Sequence, residues 1–163
     1  MKKLALMMMI VALAAGRTAL ATDSGATSAV TVVLDSLHEA ASEADGKRYF
    51  GLFSDDAIFF GTDPGERWTV AQFKAYALPR FNEGTGWTYR PTERHIYFSA
   101  DRRLAWFDEA LDRAQGGIFR GTGVLRHDEG GWKIVRYNLS IPIPNALWDK
   151  VIDLTEQAED EQE

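Results

Sequence analysis

The chain has 163 residues, no cysteine, and a formal net charge of −6 at pH 7. The lack of cysteine excludes a disulfide scaffold, a thiolate nucleophile, a cysteine-based metal site and a lipobox for lipid attachment. The excess of acidic residues makes nucleic acid and anionic lipid poor partners.

Residues 1–21 have the pattern of a signal peptide. Lys2 and Lys3 precede an apolar run over residues 4–15, and residues 19–21 form a small-x-small cleavage site. A retained membrane helix needs roughly 18–20 apolar residues, so the run is too short for one, and no later segment is apolar enough to span a membrane. We therefore predict an exported protein, periplasmic or secreted after cleavage near Ala21. The mature chain keeps 15 basic and 24 acidic residues, a net charge of −9.

The first half of the mature chain predicts helices. Residues 22–28 form a short polar leader, and apolar residues then recur at helical spacing up to Asp45-Gly46. A second short helix follows, and residues 57–60 form a short buried strand. Thr69 and Gln72 have the spacing of a capping box, which starts a third helix that Pro79 kinks or ends.

The second half predicts strands. Two-residue alternation runs through residues 87–98, 104–111, 118–126 and 132–141, which predicts four long strands in antiparallel succession. Pro142 and Pro144 end the sheet, and Asn145 can cap a last helix. Residues 155–163 are acidic and nearly free of apolar residues, which predicts a disordered tail. Residues 29–154 thus form one domain of the α+β class, with helices on one face of a curved sheet.

Four phrases carry a resemblance to a known family: LFSDDAIFFGTD, ERHIYFS, AWFDE and GGWKIVRYNLSIP. In this order of elements they resemble SnoaL-like members of the nuclear transport factor two and ketosteroid isomerase superfamily, over residues 29–154. The resemblance implies a cone-shaped fold with a strongly bent, mainly antiparallel sheet wrapped over N-terminal helices around a deep pocket, usually in a homodimer. Such members include enzymes and non-catalytic binding domains, so the fold does not decide the function.

The resemblance also allows a test of the best-known activity. Ketosteroid isomerases have a tyrosine, a general-base aspartate and a protonated aspartic acid where this chain has Leu37, Gly61 and Gly123. None of these three residues can move a proton, which argues against steroid isomerisation by that mechanism.

His95 and Asp108 are the candidate catalytic residues. Related SnoaL-like and scytalone dehydratase-like proteins also have a histidine near His95, and an imidazole can exchange protons near neutral pH. Alternation puts Trp106 and Asp108 on one face of their strand and Phe107 and Glu109 on the other. Comparison with related cone folds favours Trp106 and Asp108 inward. Each candidate has a structural alternative, a sheet-surface hydrogen bond for His95 and a bracing ion pair with Arg120 for Asp108.

Further residues are candidates for lining a pocket. Arg67 and Trp68 precede the third helix and could form its rim, although Trp68 could equally belong to the core. Only one of the neighbours Tyr137 and Asn138 can face inward. The full set of candidate ligand-binding residues is Tyr49, Phe59, Arg67, Trp68, Trp106, Arg120, Tyr137 and Asn138. Gly121 and Gly123 mark a bend, a bulge or a close approach of a ligand in their strand, and a bend suits a cone-shaped sheet.

The motif search gives no cofactor and no metal. His38, His95 and His127 lack the spacing of a metal-binding motif, and the chain has neither a glycine-rich phosphate loop nor a nucleophile elbow. Three functions remain open. The first is a binding or accessory domain for a small apolar molecule with a polar group, and the second is a cofactor-independent lyase, isomerase or hydrolase. The third is an interaction domain that forms a homodimer through its sheet.

Overall fold

The structure is a computed structural model that describes residues 24–113 and 116–160. The predicted signal peptide at residues 1–21 lies outside the described residues. None of the helices within these ranges is long and apolar enough to cross a membrane.

Three helices precede the long strands. The first, α1, covers residues 24–42 and is followed by α2 (Gly46–Gly51) and α3 (Val70–Asn82). The predicted leader is wrong over residues 24–28, which are already helical. The predicted capping box is confirmed, since Thr69 accepts a hydrogen bond from the Gln72 backbone and Gln72 accepts one from Thr69. Pro79 lies inside α3, and the helix continues to Asn82.

The strands form one six-stranded sheet. They are β1 (Phe53–Phe60), β2 (Arg67–Thr69), β3 (Tyr89–Phe98), β4 (Leu104–Arg113), β5 (Ile118–Asp128) and β6 (Gly131–Ser140), in the spatial order β2-β1-β6-β5-β4-β3. Only β1 and β6 pair in parallel; the other neighbours are antiparallel. Register shifts between β1 and β6, between β3 and β4 and between β5 and β6 mark irregular points in the ladder, where strands bend. The predicted α+β class with a bent, mainly antiparallel sheet is confirmed.

The helices and the inner face of the sheet enclose an aromatic core. The ring of Tyr49 lies 5.2–5.9 Å, centroid to centroid, from five other rings, those of Phe50, Phe53, Phe73, Phe81 and Trp87. The buried face of α1, with Val30, Leu34 and Leu37, packs in the same cluster. Because these rings fill most of the interior, the deep pocket implied by the resemblance is reduced to smaller cavities.

The chain leaves the sheet through Ile141–Pro144 and ends in a helix. A 3₁₀ turn (Asn145–Leu147) precedes α4 (Trp148–Asp160). The cap predicted at Asn145 is wrong, because no side chain caps this turn. The disordered tail predicted from residue 155 is also wrong up to Asp160, since Glu, Gln and Ala are good helix formers and extend α4.

A close backbone contact joins α1 to the start of β3. A Cβ atom added at Gly86 would lie 2.0 Å from the carbonyl oxygen of Ala41, whereas one added at Gly51 meets nothing within 4 Å. We predict that Gly86→Ala lowers the free energy of unfolding by about 3 kcal/mol because two backbones must separate. Gly51→Ala serves as the control and should change the free energy of unfolding little. Equal urea midpoints for the two variants would contradict this packing.

Candidate functional site

Two adjacent cavities lie at the inner face of the sheet. The outer one has a volume of about 220 Å³ and the inner one about 20 Å³. Both cavities are lined by Phe59, Trp87, Tyr89 and Leu139. We call this pair of cavities the funnel. The inner cavity has room for about one water molecule. His38 and Tyr137 also line the inner cavity, which places polar atoms at the narrow end of the funnel.

At this narrow end, His38 contacts a buried carboxylate. His38 lies on the inward face of α1, and its Nε2 atom is 2.8 Å from Oε1 of Glu109 on β4. Glu109 is only 1 % exposed, and His38 is also buried. A buried carboxylate is stable only when paired and hydrogen-bonded, so the contact with His38 is part of what allows Glu109 to lie inside.

Arg94 supplies the second partner of Glu109. Its Nε donates to Oε2 of Glu109 at 2.8 Å, and its Nη1 donates to Asp35 on α1 at 2.7 Å. The remaining nitrogen, Nη2, is buried and has no hydrogen-bond acceptor. Arg94 therefore ties β3 and β4 to α1 through charged groups, from the buried Glu109 to the exposed Asp35.

The partners of Glu109 decide its protonation state. Burial by itself raises the pKa of Glu109, but the hydrogen bond from His38 and the charge and hydrogen bond of Arg94 outweigh burial. The pKa of Glu109 is therefore lowered, and Glu109 is ionised at neutral pH.

Tyr137 completes the hydrogen bonds to this carboxylate. Its hydroxyl donates to Oε1 of Glu109 at 3.0 Å. Burial, together with the negative charge of Glu109, raises the pKa of Tyr137 well above its usual value, so the hydroxyl keeps its proton. We call His38, Arg94, Glu109 and Tyr137 the buried cluster.

Gly121 provides the space for this contact. It lies opposite Glu109 in the β4–β5 pairing. A Cβ atom at Gly121 would lie 2.5 Å from the Tyr137 hydroxyl and 2.8 Å from Oε1 of Glu109. The bend, the bulge and the close approach of a ligand predicted for this glycine are not what the structure shows here; the groups that approach Gly121 are the side chains of Tyr137 and Glu109.

The wide end of the funnel carries charge of both signs. Arg80 and Arg113 line the outer cavity together with Glu66, while Phe59, Trp68 and Phe73 supply apolar walls. The rings of Phe59 and Tyr137 are nearly parallel, with centroids 5.7 Å apart. A flat apolar molecule would meet aromatic walls along the funnel, the Tyr137 hydroxyl and His38 at its end, and charged groups at its mouth.

The predicted inward orientation of Trp106 and Asp108 is wrong. Buried residues of β4 alternate as Ala105, Phe107, Glu109 and Leu111, and Trp106 is 45 % exposed on the opposite face. The physical reason is that Glu109 finds His38 and Arg94 inside, so the pleat that buries Phe107 and Leu111 also satisfies its charge. Asp108 is therefore directed to the outer face of the sheet.

His95 also lies on this outer face. It pairs in register with Asp108, its side chain is 50 % exposed, and its Nε2 is 3.0 Å from Glu93. Arg120 is exposed on the same outer face, opposite Ala110 and diagonal to Asp108, so it too lies outside the funnel. Because His95 and Asp108 face away from the funnel, a proton-transfer site inside it cannot use them.

Four of the remaining candidates surround the funnel. Tyr49, Phe59 and Tyr137 line the inner cavity, and Trp68 lines the outer one. Arg67 is exposed and lies over the ring of Phe60, at 5.8 Å from its centroid. Asn138 lies on the outer face, opposite Thr122. In the part of the chain that the structure describes, no three His, Asp or Glu residues form a group that could hold a metal ion.

Glu109, Arg94 and the role of His38 were not predicted from the sequence. A usable indication existed, since His38 follows Leu37 and lies four residues after Leu34, on the apolar face of α1. A polar residue on the buried face of a helix needs a hydrogen-bond partner inside the protein. Two-residue alternation puts Glu109 on the same face of its strand as Phe107, so Glu109 was a possible partner.

Comparisons with known proteins agree with this architecture. The family model described as "SnoaL-like domain" matches residues 30–144. An NTF2-like protein of unknown function from Pseudomonas putida KT2440 superposes with a TM-score of 0.64 at 15% identity, covering 75% of this chain and 90% of that one. A candidate scytalone dehydratase from Novosphingobium aromaticivorans gives 0.65 at 15% identity, covering 76% and 89%.

A third solved structure, a candidate dehydratase of the NTF2-like family from Streptomyces avermitilis, has a TM-score of 0.59 at 14% identity and covers 74% of this chain and 99% of its own. No curated protein matches the sequence. At these identities the solved structures show the fold alone. With the family model spanning most of the described domain, the chain belongs to the SnoaL-like domain family.

The lowered pKa of Glu109 predicts a pH dependence of stability. An unfolded glutamate has a pKa of about 4.3, so the stabilisation from ionised Glu109 is complete above that pH and is lost as pH falls through the lower folded pKa. Glu109→Gln should lower the free energy of unfolding by about 3 kcal/mol at pH 7, because it leaves Arg94 and His38 with a neutral partner.

Glu93→Gln is the matched control, since Glu93 is exposed and pairs with the half-exposed side chain of His95. Urea unfolding at pH 7 and at pH 4 checks both variants. The difference between Glu109→Gln and wild type should shrink at the lower pH. Equal stability of the two variants at pH 7 would show that the Glu109 charge is not held inside.

Proposed function

We propose that the funnel binds a small, mainly apolar molecule and presents His38 and Tyr137 to the polar group of that molecule. The observation that carries this proposal is the contact of His38 with the buried, ionised Glu109 at the end of an aromatic-lined cavity. Placing a charged carboxylate in a core is costly, and a core without a function would be more stable with apolar residues there.

The walls of the funnel set the kind of ligand. Its outer cavity of about 220 Å³ lies below the roughly 300–1,000 Å³ usual for ligand sites, which limits the ligand to a molecule of one or two rings. The aromatic lining favours flat, apolar groups, and the charged mouth favours a polar substituent that remains near water. The acidic mature chain disfavours nucleic acid.

An acid–base enzyme is the second candidate, and the His38–Glu109 pair favours it. With Nε2 of His38 engaged by the carboxylate, Nδ1 is the nitrogen left to exchange a proton with a ligand or a water molecule. The contact of Nε2 with Glu109 holds the imidazole ring in place while that proton moves. Such a site suits a cofactor-independent lyase or isomerase, in which a base removes a proton next to a carbonyl or a leaving group. Two of the structurally similar proteins are candidate dehydratases, which is consistent with this class.

We also propose export, on the basis of the leader at residues 1–21, and a homodimer as the state in which the domain functions. Neither depends on the funnel.

Ligand binding is tested with a thermal-shift screen of small aromatic probes, each as a neutral and a carboxylate form: indole, 2-naphthol, benzamide and benzoate, cinnamamide and cinnamate. A ligand present at 100 times its Kd stabilises the folded state by about 2.7 kcal/mol, which raises the melting temperature. We predict that Trp68→Ala weakens the binding of an active probe about tenfold, because it removes an aromatic wall.

Trp106→Ala is the matched control, because Trp106 lies on the outer face. It should leave probe affinity unchanged, whatever it does to the melting temperature without probe. Trp68→Phe should retain most of the affinity and excludes a folding defect as the cause. Loss of binding in Trp106→Ala with retention in Trp68→Ala would contradict the assignment of the funnel.

The enzyme candidate predicts proton abstraction from carbon. We expect the protein to accelerate exchange of the α-protons of 2-tetralone with D₂O, followed by ¹H NMR, and His38→Asn to reduce this acceleration at least about a hundredfold. His95→Asn is the control and should retain it. No acceleration by the wild type, or a loss in His95→Asn alone, would argue against catalysis by His38.

A further inference from the structure

The outer cavity, which is the mouth of the funnel, has more positive than negative charge in its lining. Two arginines line it, Arg80 from the last turn of α3 and Arg113 from β4, together with one carboxylate, Glu66. Within the part of the chain that the structure describes, neither arginine forms an ion pair. Glu66 accepts a hydrogen bond at 3.3 Å from the backbone N–H of Asp63. The lining of the mouth therefore has one positive charge in excess.

The pairing of β3 with β4 holds Arg113 at the mouth. Tyr89 lies directly opposite Arg113 in this pairing, so the two side chains project from the same face of the sheet. The guanidinium carbon of Arg113 is 5.7 Å from the ring centroid of Phe119, and this ring contacts that of Tyr89 edge to face at 5.1 Å. Arg113 thus lies beside an aromatic pair and remains exposed, so a ligand can reach it.

Tyr89 adds a hydroxyl group to the funnel. Its side chain lines both cavities and is half-buried. Burial raises the pKa of Tyr89, and the positive charge of Arg113 opposes this rise, while Tyr76 and Glu66 add to it. The pKa of Tyr89 is raised overall, so its hydroxyl keeps its proton at neutral pH and can donate to an oxygen of a ligand.

The narrow end of the funnel disfavours a second anion. His38 and Tyr137 line this end, and both contact the ionised carboxylate of Glu109. Arg94, the cation of the buried cluster, is not among the described residues that line the inner cavity. Two carboxylates that share a site oppose each other's ionisation. The narrow end therefore suits a neutral polar or apolar group, and the mouth suits an anionic one.

We propose that the ligand of the funnel is an aromatic carboxylic acid of one or two rings, bound with its carboxylate at Arg80 and Arg113 and its ring toward His38. This inference rests on the proposed function of the funnel and names the class and the orientation of the ligand. Arginine can bind a carboxylate through two parallel N–H donors, in a pair that is stronger than a hydrogen bond between neutral groups. One carboxylate also matches the single positive charge in excess at the mouth.

Aromatic side chains receive the ring of such a ligand. The rings of Phe59 and Trp68 are close to parallel, with centroids 6.2 Å apart, and Trp87 lines both cavities. A flat ring packs well against walls of this kind. The ring fills the apolar part of the funnel while the carboxylate stays near water at the mouth.

The acidity of the whole chain does not prevent this binding. The mature chain has 15 basic and 24 acidic residues, but salt screens exposed charges that lie more than about 8 Å apart at physiological ionic strength. The charges at the mouth therefore decide how strongly a carboxylate binds. Glu66 is the carboxylate in the lining that opposes it.

A pair of matched probes tests the ligand class. Cinnamate and cinnamamide share the same ring and differ in charge, so the ratio of their Kd values, measured by isothermal titration calorimetry, reports on the carboxylate alone. Water screens exposed arginines in part, and we expect wild type to bind cinnamate about fivefold or more tightly than cinnamamide. Arg113→Gln should bring the ratio below about twofold, and Arg80→Gln should lower it, with little change in the Kd of cinnamamide.

Two further variants separate charge from structure. Arg120→Gln removes an exposed arginine of the outer face and should leave the ratio unchanged. Glu66→Gln keeps an oxygen that can accept from Asp63 and removes the negative charge, so it should tighten the binding of cinnamate but not of cinnamamide. A purely structural role of Glu66 would not give a gain for one probe alone. The melting temperature without probe checks that each variant is folded.

His38→Asn tests the orientation. With the ring at the narrow end and the carboxylate at the mouth, this substitution should change the affinity for both probes by the same factor. A loss for cinnamate that exceeds the loss for cinnamamide would place the carboxylate at the narrow end and overturn the proposed orientation.

Failure of this inference can be distinguished from failure of the proposed function. Equal affinity for the two probes, or a preference for cinnamate that both Arg80→Gln and Arg113→Gln retain, would contradict an aromatic acid held at the mouth. If Trp68→Ala still weakened the binding of both probes, the funnel would remain a site for neutral ligands. Failure of all neutral and charged probes to bind would overturn the proposed function and this inference with it.

Discussion

The charge of Glu109 inside the cone is the constraint on which the rest of the structure depends. Its carboxylate is ionised and almost completely buried, and its partners come from three elements, α1, β3 and β6. Each partner must be in place, because a buried charge that loses one is destabilising. The need to keep these partners in place fixes how α1 packs on the sheet and which face of β4 turns inward. It also explains why β5 has Gly121 beside the buried cluster.

The same interaction links the fold to function. Much of the interior is filled with aromatic rings, and with the aliphatic side chains packed among them they leave a narrow funnel rather than a deep cavity. His38 connects the funnel with Glu109, because it borders the end of the funnel and contacts the Glu109 carboxylate. The SnoaL-like fold is shared by proteins with different activities, so the function must be argued from this site. Binding of a small apolar molecule and proton transfer by His38 both depend on the pair His38 and Glu109.

Much of the fold could be predicted from the sequence, because helical spacing and two-residue alternation are strong over α1 and over β3 to β6. The short strand β2 was missed, since three residues show no period. The orientation of β4 could not be read from alternation: Trp106 with Asp108 and Phe107 with Glu109 each put one ring and one carboxylate on a face. The orientation of β4 is decided by partners that are distant in the sequence, since His38 lies 71 residues from Glu109 in the chain. The sequence likewise predicts a last helix but does not indicate what that helix contacts.

The charge state of Glu109 can be observed in solution. The ¹³C chemical shift of its carboxyl carbon, followed by NMR as pH is lowered, reports protonation of that group alone. If the buried cluster holds the charge, the resonance stays at its carboxylate position well below pH 4.3, the usual midpoint for glutamate, until the protein unfolds. A midpoint at or above that value in the folded protein would mean that burial outweighs His38 and Arg94, which would contradict the lowered pKa of Glu109.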